Sequence, residues 1–368
     1  MKHIVCIIDG TGVSAAKSEQ SSRYSNAYNI NTFLSSVGND GCDQVVFYFS
    51  GLGSFDSAAP FTESIFANGI DRLVRDAYVN ICSNFRIDRD ARDKIYIFGF
   101  SRGAVVARAL SGLISSQGLL TPWRIDNYYR VWDNFLNNNK PPSPALSRYL
   151  YSDVDIEFLG IFDCVYGNKN QKTIWKTLVF PDKLLAPRVK FATHLIAIDE
   201  TRRFFSPLLF DGLGGDGQIL EQVWIPGVHT DVGGGYVEDF LSGVSLITMV
   251  RQVEKHTDLR FNPSLIKLTI GNAQSNSNII VNNEITWKWL ISPKMMRKTY
   301  YSPSSDPCQF IHPVALNIQD AIKYYKGKPL TNYVVGDGFR ELPVFDNENL
   351  DFWMDIIAQV PGGAKATT

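Results

Sequence analysis

Cysteine, net charge and long apolar runs are all in short supply in this chain. Its 368 residues hold five cysteines, Cys6, Cys42, Cys82, Cys164 and Cys308. The number is odd, the spacing wide, and no C-x-x-C occurs. That speaks against a disulfide framework or a zinc site and for buried free thiols. Such usage fits synthesis in a reducing compartment, so a cytoplasmic origin is expected. Lys and Arg number 36 against 37 Asp and Glu, a net charge of −1, so there is no electrostatic case for nucleic acid. No block of like charges marks a polybasic membrane patch. No stretch approaches the ~20 apolar residues of a membrane-spanning helix. The opening Met1-Lys2-His3-Ile4-Val5-Cys6-Ile7-Ile8-Asp9 is too short for a secretory leader and is broken by Asp9, so it reads as a first strand. Histidine is scarce too. His3, His194, His229, His256 and His312 are the whole supply of imidazole bases.

Hydrophobic residues make up 45% and charged residues 20%, so the chain reads as an ordinary globular protein of one large or two medium domains. Short apolar runs recur at Ile4–Ile8, Val45–Phe49, Ile95–Phe98, Ile156–Phe162, Leu195–Ile198 and Gln222–Ile225. Helical spacing fills several gaps between them, as in Gly69–Phe85 and Ala104–Ile114. The alternation predicts an α/β fold with a mostly parallel sheet and helices on both faces. Asp9, Ser50, Ser101, Asp163, Asp199 and His229 stand at or just past these runs. Sites in open parallel sheets form at the carboxyl ends of strands, so the chemistry is expected along one edge. Residues 118–150 and 164–190 carry Leu119, Leu120, Trp123, Trp175, Leu178, Val179, Phe180, Leu184 and Leu185. They read equally as lid-like, substrate-binding insertions and as segments packed on the core. Later, Leu265–Ile270, Asn278–Val281 and Ile285–Ile291 look like short strands. With no clean linker, residues 1–255 are read as the catalytic core and 256–368 as an extension packed on it.

The most specific signal is the run from Ile95 to Gly112, where a short apolar strand enters Gly99-Phe100-Ser101-Arg102-Gly103 and a small-residue helix follows at once. Strand, G-x-S-x-G and helix together are the context of a nucleophile elbow. The turn is so tight that its flanks tolerate almost no side chain, hence Gly99 and Gly103. The new helix also aims its first N–H groups at negative charge formed beside Ser101.

A serine nucleophile needs a base and a group that orients the base. His229 lies in the glycine-rich Gly227-Val228-His229-Thr230-Asp231-Val232-Gly233-Gly234-Gly235, just past a strand end. His194 lies inside an apolar run and reads as a core histidine. Asp163 closes the apolar run Ile156–Phe162, and a carboxylate there needs a partner such as an imidazole. Asp199 and Asp231 are its rivals, with Asp231 better suited to fixing the glycine loop. The oxyanion hole calls for the backbone N–H of Arg102 plus a second donor, which Gly10, Thr11 or Gly12 of Asp9-Gly10-Thr11-Gly12 can supply. Asp9 is placed with Asp199 and Asp231 as supporting. No metal or cofactor is called for, and nothing in the acidic spacing specifies calcium.

Taken in order, these pieces resemble one family. They are Asp9-Gly10-Thr11-Gly12, Ser50-Gly51-Leu52-Gly53 with Ala67-Asn68-Gly69, and Gly99-Phe100-Ser101-Arg102-Gly103-Ala104 with Ala107-Arg108. Then come Phe158-Leu159-Gly160-Ile161-Phe162-Asp163-Cys164-Val165, the run from His194 to Arg202, and the run from Gln222 to Tyr236. The chain resembles the α/β-hydrolase family of the type VI secretion phospholipase effectors and their bacterial and fungal relatives, over about residues 1–240. Val13 stands where that family usually has Asn. The resemblance implies an α/β-hydrolase-like sheet with lid-like insertions and a hydrolase whose triad positions match Ser101, Asp163 and His229. It implies acyl-ester cleavage of a phospholipid and export by a type VI system. The partners it implies are a lipid or acyl-ester substrate, a transient membrane surface, and a secretion-apparatus or immunity protein. An esterase of small soluble acyl compounds, or a binding protein on the same fold, are the alternatives.

Overall fold

The first strand shows how the sheet is built. In the computed structural model β1 (Lys2–Ile8) is buried at every position but Lys2. Ile4, Cys6 and Ile8 pack into one apolar cluster, Val5 and Ile7 into another. Alternate side chains of a strand point to opposite faces, so a strand covered on both sides must be apolar throughout. The structure describes residues 1–10, 24–51, 63–88, 91–137, 140–166, 183–237, 239–275, 281–282, 297, 308–316, 324–325, 328–329 and 342–358.

Along the chain, β1 is followed by α1 (Asn26–Phe33), β2 (Asp43–Phe49), α2 (Glu63–Asn84), β3 (Lys94–Phe100) and α3 (Arg102–Gln117). Next come α4 (Tyr128–Leu136), β4 (Ile156–Phe162), β5 (Val189–Ala197), β6 (Ile219–Ile225) and the short α5 (His229–Gly233). The rest comprises α6 (Phe240–His256), α7 (Pro263–Ser275), β7 (Gln309–Ile311) and α8 (Leu350–Ala358). The seven strands form one sheet in the order β2-β1-β3-β4-β5-β6-β7, and every pairing is parallel. The fold is α/β, as the alternation of runs predicts. Buried residues of α2, α3 and α4 share the cluster on one face, and those of α1 and α6 the cluster on the other. Strand order reverses at β1, so the crevice at the carboxyl ends of β1 and β3 is the switch point where such sheets place ligands.

One expectation needs adjustment. Leu265–Ile270 is not a strand but part of helix α7. Ile and Thr mimic strand composition there, yet Asn262 and Pro263 start a helix: the Asn262 carboxamide oxygen accepts the Ser264 N–H at 3.0 Å. Ile266 and Ile270, one turn apart, then pack on a third apolar cluster while Leu268 stays exposed. Asn278–Ile280 and Ile285–Ile291 lie outside the described residues. Among the apolar groups of 118–150, Leu119 and Leu120 are buried, with Val131, Trp132 and Phe135 of α4, in the cluster around α3. Trp123 is 71% exposed, whereas Trp175, Leu178, Val179 and Phe180 lie outside the described residues. Beyond residue 256, β7 joins the same sheet beside β6, and the Trp353 side chain of α8 is fully buried. No described helix is long and apolar enough to cross a membrane.

Candidate active site

Ser101 sits between β3 and α3 with φ 58° and ψ −122°, in the left-handed half of backbone space. Its N–H donates to the Phe162 carbonyl at 3.0 Å, tying the turn to the end of β4. A Cβ on Gly99 would lie 2.6 Å from the Ala104 Cα, and one on Gly103 2.3 Å from the Asp9 carbonyl oxygen. The obstacles are backbone atoms, which cannot swing away. Gly103→Ala should therefore push β1 and α3 apart, lowering stability by about 1–3 kcal/mol and reducing any activity at Ser101. A denaturant midpoint equal to wild type would contradict the close packing.

Asp163 follows β4 with φ 37°, and its N–H donates to the Leu195 carbonyl at 2.8 Å. It and Ser101 are two of five non-glycine residues with positive φ among the described residues. Backbone strain of this kind gathers where a fold must aim a particular side chain. His229 is the first residue of α5, delivered by the loop after β6. Its Nδ1 lies 2.6 Å from Asp163 Oδ2, and its Nε2 lies 2.8 Å from Ser101 Oγ. Three strand ends thus bring a hydroxyl, an imidazole and a carboxylate into one hydrogen-bonded line. Asp163 is fully buried, while Ser101 and His229 are each 5% exposed.

Burial alone would raise the Asp163 carboxyl. The charge of Arg297 and the hydrogen bond and charge of His229 outweigh it and hold the group well below the usual carboxylate range. Arg297 carries no signal in the sequence. Its Nη1 donates to Asp163 Oδ1 at 2.6 Å and its Nη2 to Oδ2 at 2.9 Å, a two-pronged contact. Nothing in Lys294-Met295-Met296-Arg297-Lys298 distinguishes this cation from its neighbours.

Other groups frame the imidazole. Its ring lies between Phe100, 4.9 Å away, and Phe205, 5.1 Å away and edge-on. Glu200 Oε2 accepts the His229 N–H at 3.4 Å and is paired with Arg202 at 2.7 Å. Asp231 Oδ2 accepts the Val228 N–H at 3.0 Å, fixing the loop just before the histidine. Asp199 Oδ2 accepts the Gly227 N–H at 2.7 Å, so it braces the same loop and does not bond the imidazole. Asp9 accepts from Ser25 Oγ and Tyr48 OH, each at 2.7 Å, and burial nonetheless raises its carboxyl. Its other oxygen accepts the Gly10 N–H at 2.7 Å, so that amide is already engaged. Gly10 itself abuts the elbow, since a Cβ there would lie 3.4 Å from Ser101 Cβ. Thr11 and Gly12 lie outside the described residues. Arg102 opens α3, and burial pulls its guanidinium down to about 10.

His194 is completely buried, its Nε2 accepts the Cys164 N–H at 3.2 Å, and burial, with the nearby Arg108 charge, lowers it to about 3. It is a neutral core histidine. Among the described residues, His3, Asp40 and Cys42 bring metal-ligand atoms within 4.8 Å of one another. That group lies beside the first residues of β1 and β3, away from Ser101. There His3 Nε2 is 2.8 Å from Asp40 Oδ1, and the Lys94 ammonium is 3.3 Å from Asp40 Oδ2, so a cation already occupies the carboxylate.

Comparison with known proteins gives the family of the chain. The chain is 29% identical over 201 residues to the uncharacterized protein YEL023C of Saccharomyces cerevisiae, covering 46% of this chain and 28% of the yeast protein. An uncharacterized protein from Pseudomonas aeruginosa is similar in structure with a TM-score of 0.44 at 17% identity, over 72% of this chain and 47% of that one. The Tle1 effector, solved bound to the VgrG spike of the type 6 secretion system, gives 0.36 at 19% identity, over 64% and 51%. The chain thus spans about half the length of the two solved relatives and less of the yeast one. The sequence profile described as T6SS, phospholipase effector Tle1-like, catalytic domain matches residues 2–252, a stretch that contains Ser101, Asp163 and His229 but not Arg297. The chain belongs to the Tle1-like phospholipase effector family of type VI secretion, through its catalytic domain.

Proposed function

We propose that this protein is a serine-dependent phospholipase, an effector of type VI secretion, that cleaves a carboxylic acyl ester of a glycerophospholipid. The observation that supports it most is the unbroken line from Ser101 Oγ to His229 Nε2 at 2.8 Å and from His229 Nδ1 to Asp163 Oδ2 at 2.6 Å. In this reading Ser101 Oγ attacks the acyl carbonyl carbon while His229 Nε2 takes its proton. The imidazolium faces the ionised Asp163. The oxyanion is held by the Arg102 N–H at the start of α3, while the Gly10 N–H is engaged by Asp9. His229 then returns the proton to the departing glycerol oxygen, leaving an acyl-Ser101 ester. Water, activated by the same imidazole, hydrolyses that ester to a free fatty acid.

The family description supports phospholipid as the substrate class, and with it a transient contact with a bilayer and a secretion-apparatus partner. A site built for lipid gains from every buried methylene, about 0.8 kcal/mol each at most. kcat/KM should therefore climb with acyl length across a series of soluble esters, and fatty acid should be released from phospholipid vesicles. A fluorophosphonate should label wild type at Ser101 and not Ser101→Ala. Labelling with rates that fall beyond short acyl chains, and no lipid product, would leave a small-ester hydrolase in place of a phospholipase.

A further inference from the structure

Arg297 lies 45 residues beyond the profile-matched stretch, which ends at residue 252 (297 − 252), yet it reaches the centre of the candidate site. We propose that Arg297 is a positioning residue of the catalytic centre, its guanidinium fork setting the rotation of the Asp163 carboxylate so that Oδ2 meets His229 Nδ1. This rests on the assignment of Ser101, His229 and Asp163 made above.

Asp163 Oδ1 accepts the Ala197 N–H at 3.0 Å and Arg297 Nη1 at 2.6 Å. Oδ2 accepts Arg297 Nη2 at 2.9 Å and faces His229 Nδ1 at 2.6 Å. The same two nitrogens donate outward, Nη1 to the Ala197 carbonyl at 2.7 Å and Nη2 to the Phe205 carbonyl at 2.5 Å. The guanidinium is thereby fixed to the end of β5 and to the turn whose Phe205 ring flanks the imidazole. Its side chain is 1% exposed and that of Asp163 0%, so water does not compete for these bonds. A carboxylate gripped at both oxygens cannot turn about Cβ–Cγ. A single ammonium would supply the charge without that constraint. A neighbouring part of the late chain braces the base in the same way: the Asn282 N–H and carboxamide donate to Asp231 at 3.0 and 2.7 Å, and Asp231 holds the Val228 amide next to His229. Both the acid and the base loop are thus supported from outside residues 2–252.

The titratable and charged groups around Asp163 are His229 at the start of α5, His194 on β5 and Cys164 next in the chain, with Arg108 of α3 bonded to Cys164. Among the described residues, Arg297 itself and the Glu200–Arg202 pair after β5, which feels the Arg297 charge, belong to the same surroundings. Arg297 supplies the largest influence favouring the ionised carboxyl, against burial. Losing it removes a positive charge from beside the coupled imidazole–carboxylate pair, so that pair should take up a proton at higher pH and the acid limb of activity should move upward.

The test uses the full chain. Wild type, Arg297→Met and Arg297→Lys are checked for folding by circular dichroism and assayed for kcat, KM and the pH profile on one soluble ester. Arg297→Met should lose about 10²-fold in kcat, as misplacement of a catalytic group does, with KM within about threefold. Its acid limb should move to higher pH by about one unit. Arg297→Lys should keep the limb near its wild-type position and recover only part of kcat. A folded Arg297→Met with wild-type kcat and limb would overturn the proposal, as would a loss of kcat that merely tracks the folded fraction. If Arg297→Met does not fold, Arg297→Lys decides: a wild-type kcat there removes the fork. Wild type that takes no fluorophosphonate at Ser101 would refute the serine-hydrolase reading and this proposal together, whereas labelled wild type with an indifferent Arg297 variant would refute only the latter.

Discussion

Replacing Ser101 by Ala is expected to lower ester hydrolysis by about 10⁴-fold or more while leaving the protein folded. The change removes one oxygen. Ala carries the same Cβ as Ser, so the φ of 58° at the elbow is no more strained than before. Nothing in the tight packing of Gly99 and Gly103 is disturbed. His229→Ala should cost nearly as much, because the proton on Ser101 Oγ then has no acceptor at 2.8 Å. The double variant should be scarcely worse than either single one, since groups that act as a unit lose their effect together. His194→Ala is the control: it removes a buried, neutral ring that never touches Ser101, so it should cost stability and leave turnover per folded molecule near wild type. Initial rates normalised to folded protein give the comparison. Turnover retained in Ser101→Ala, or lost in a well-folded His194→Ala with His229→Ala active, would reassign the chemistry.

The sequence shows this site where chemistry constrains local spacing and hides it where only tertiary structure does. Gly99 and Gly103 can be read directly, because a strand-to-helix turn leaves no room for a Cβ at those two positions. The strand runs are equally visible: Ile4 through Ile8 are apolar because both faces of β1 are covered. Ser101, Asp163 and His229 stand out as polar residues at the ends of such runs. Arg297 had no comparable signature. A cation between Met296 and Lys298 looks like any surface residue until the fold delivers it to a buried carboxylate. Phe205 and Glu200 were hidden for the same reason, since what they do depends on the loop that returns from β6. In α7 the composition misleads: Ile266, Thr269 and Ile270 suit a strand, but the Asn262–Pro263 start and the one-turn spacing of the half-buried Ile266 and Ile270 belong to a helix.

Asp163→Asn is expected to be the other severe change, and for two separable reasons. The first is catalytic. A carboxamide can present its NH₂ to His229 Nδ1, which would hold the imidazole in the tautomer that carries its proton on Nε2. That ring cannot accept from Ser101 Oγ, so turnover should fall by about 10⁴-fold with the geometry largely kept. The second is energetic. Arg297 is buried against Asp163 at 2.6 Å, and neutralising the aspartate strands a guanidinium away from water. Removing one partner of a buried pair typically costs about 3–5 kcal/mol, whereas removing both is far milder. The double variant Asp163→Asn/Arg297→Met should therefore regain much of the lost stability and none of the activity. The pH dependence has a definite sign. Asp163 has a folded-state carboxyl held below its ordinary value, so the stability it contributes is present above the unfolded value of about 3.9 and is lost as pH falls through the folded one. The stability gap between wild type and Asp163→Asn should accordingly stay constant from neutral pH to about pH 5 and close only under more acid conditions. Urea titrations of the three proteins at several pH values measure it. A gap that closes already near neutral pH, or a double variant no more stable than Asp163→Asn, would mean that Asp163 and Arg297 do not form the ionised buried pair described here.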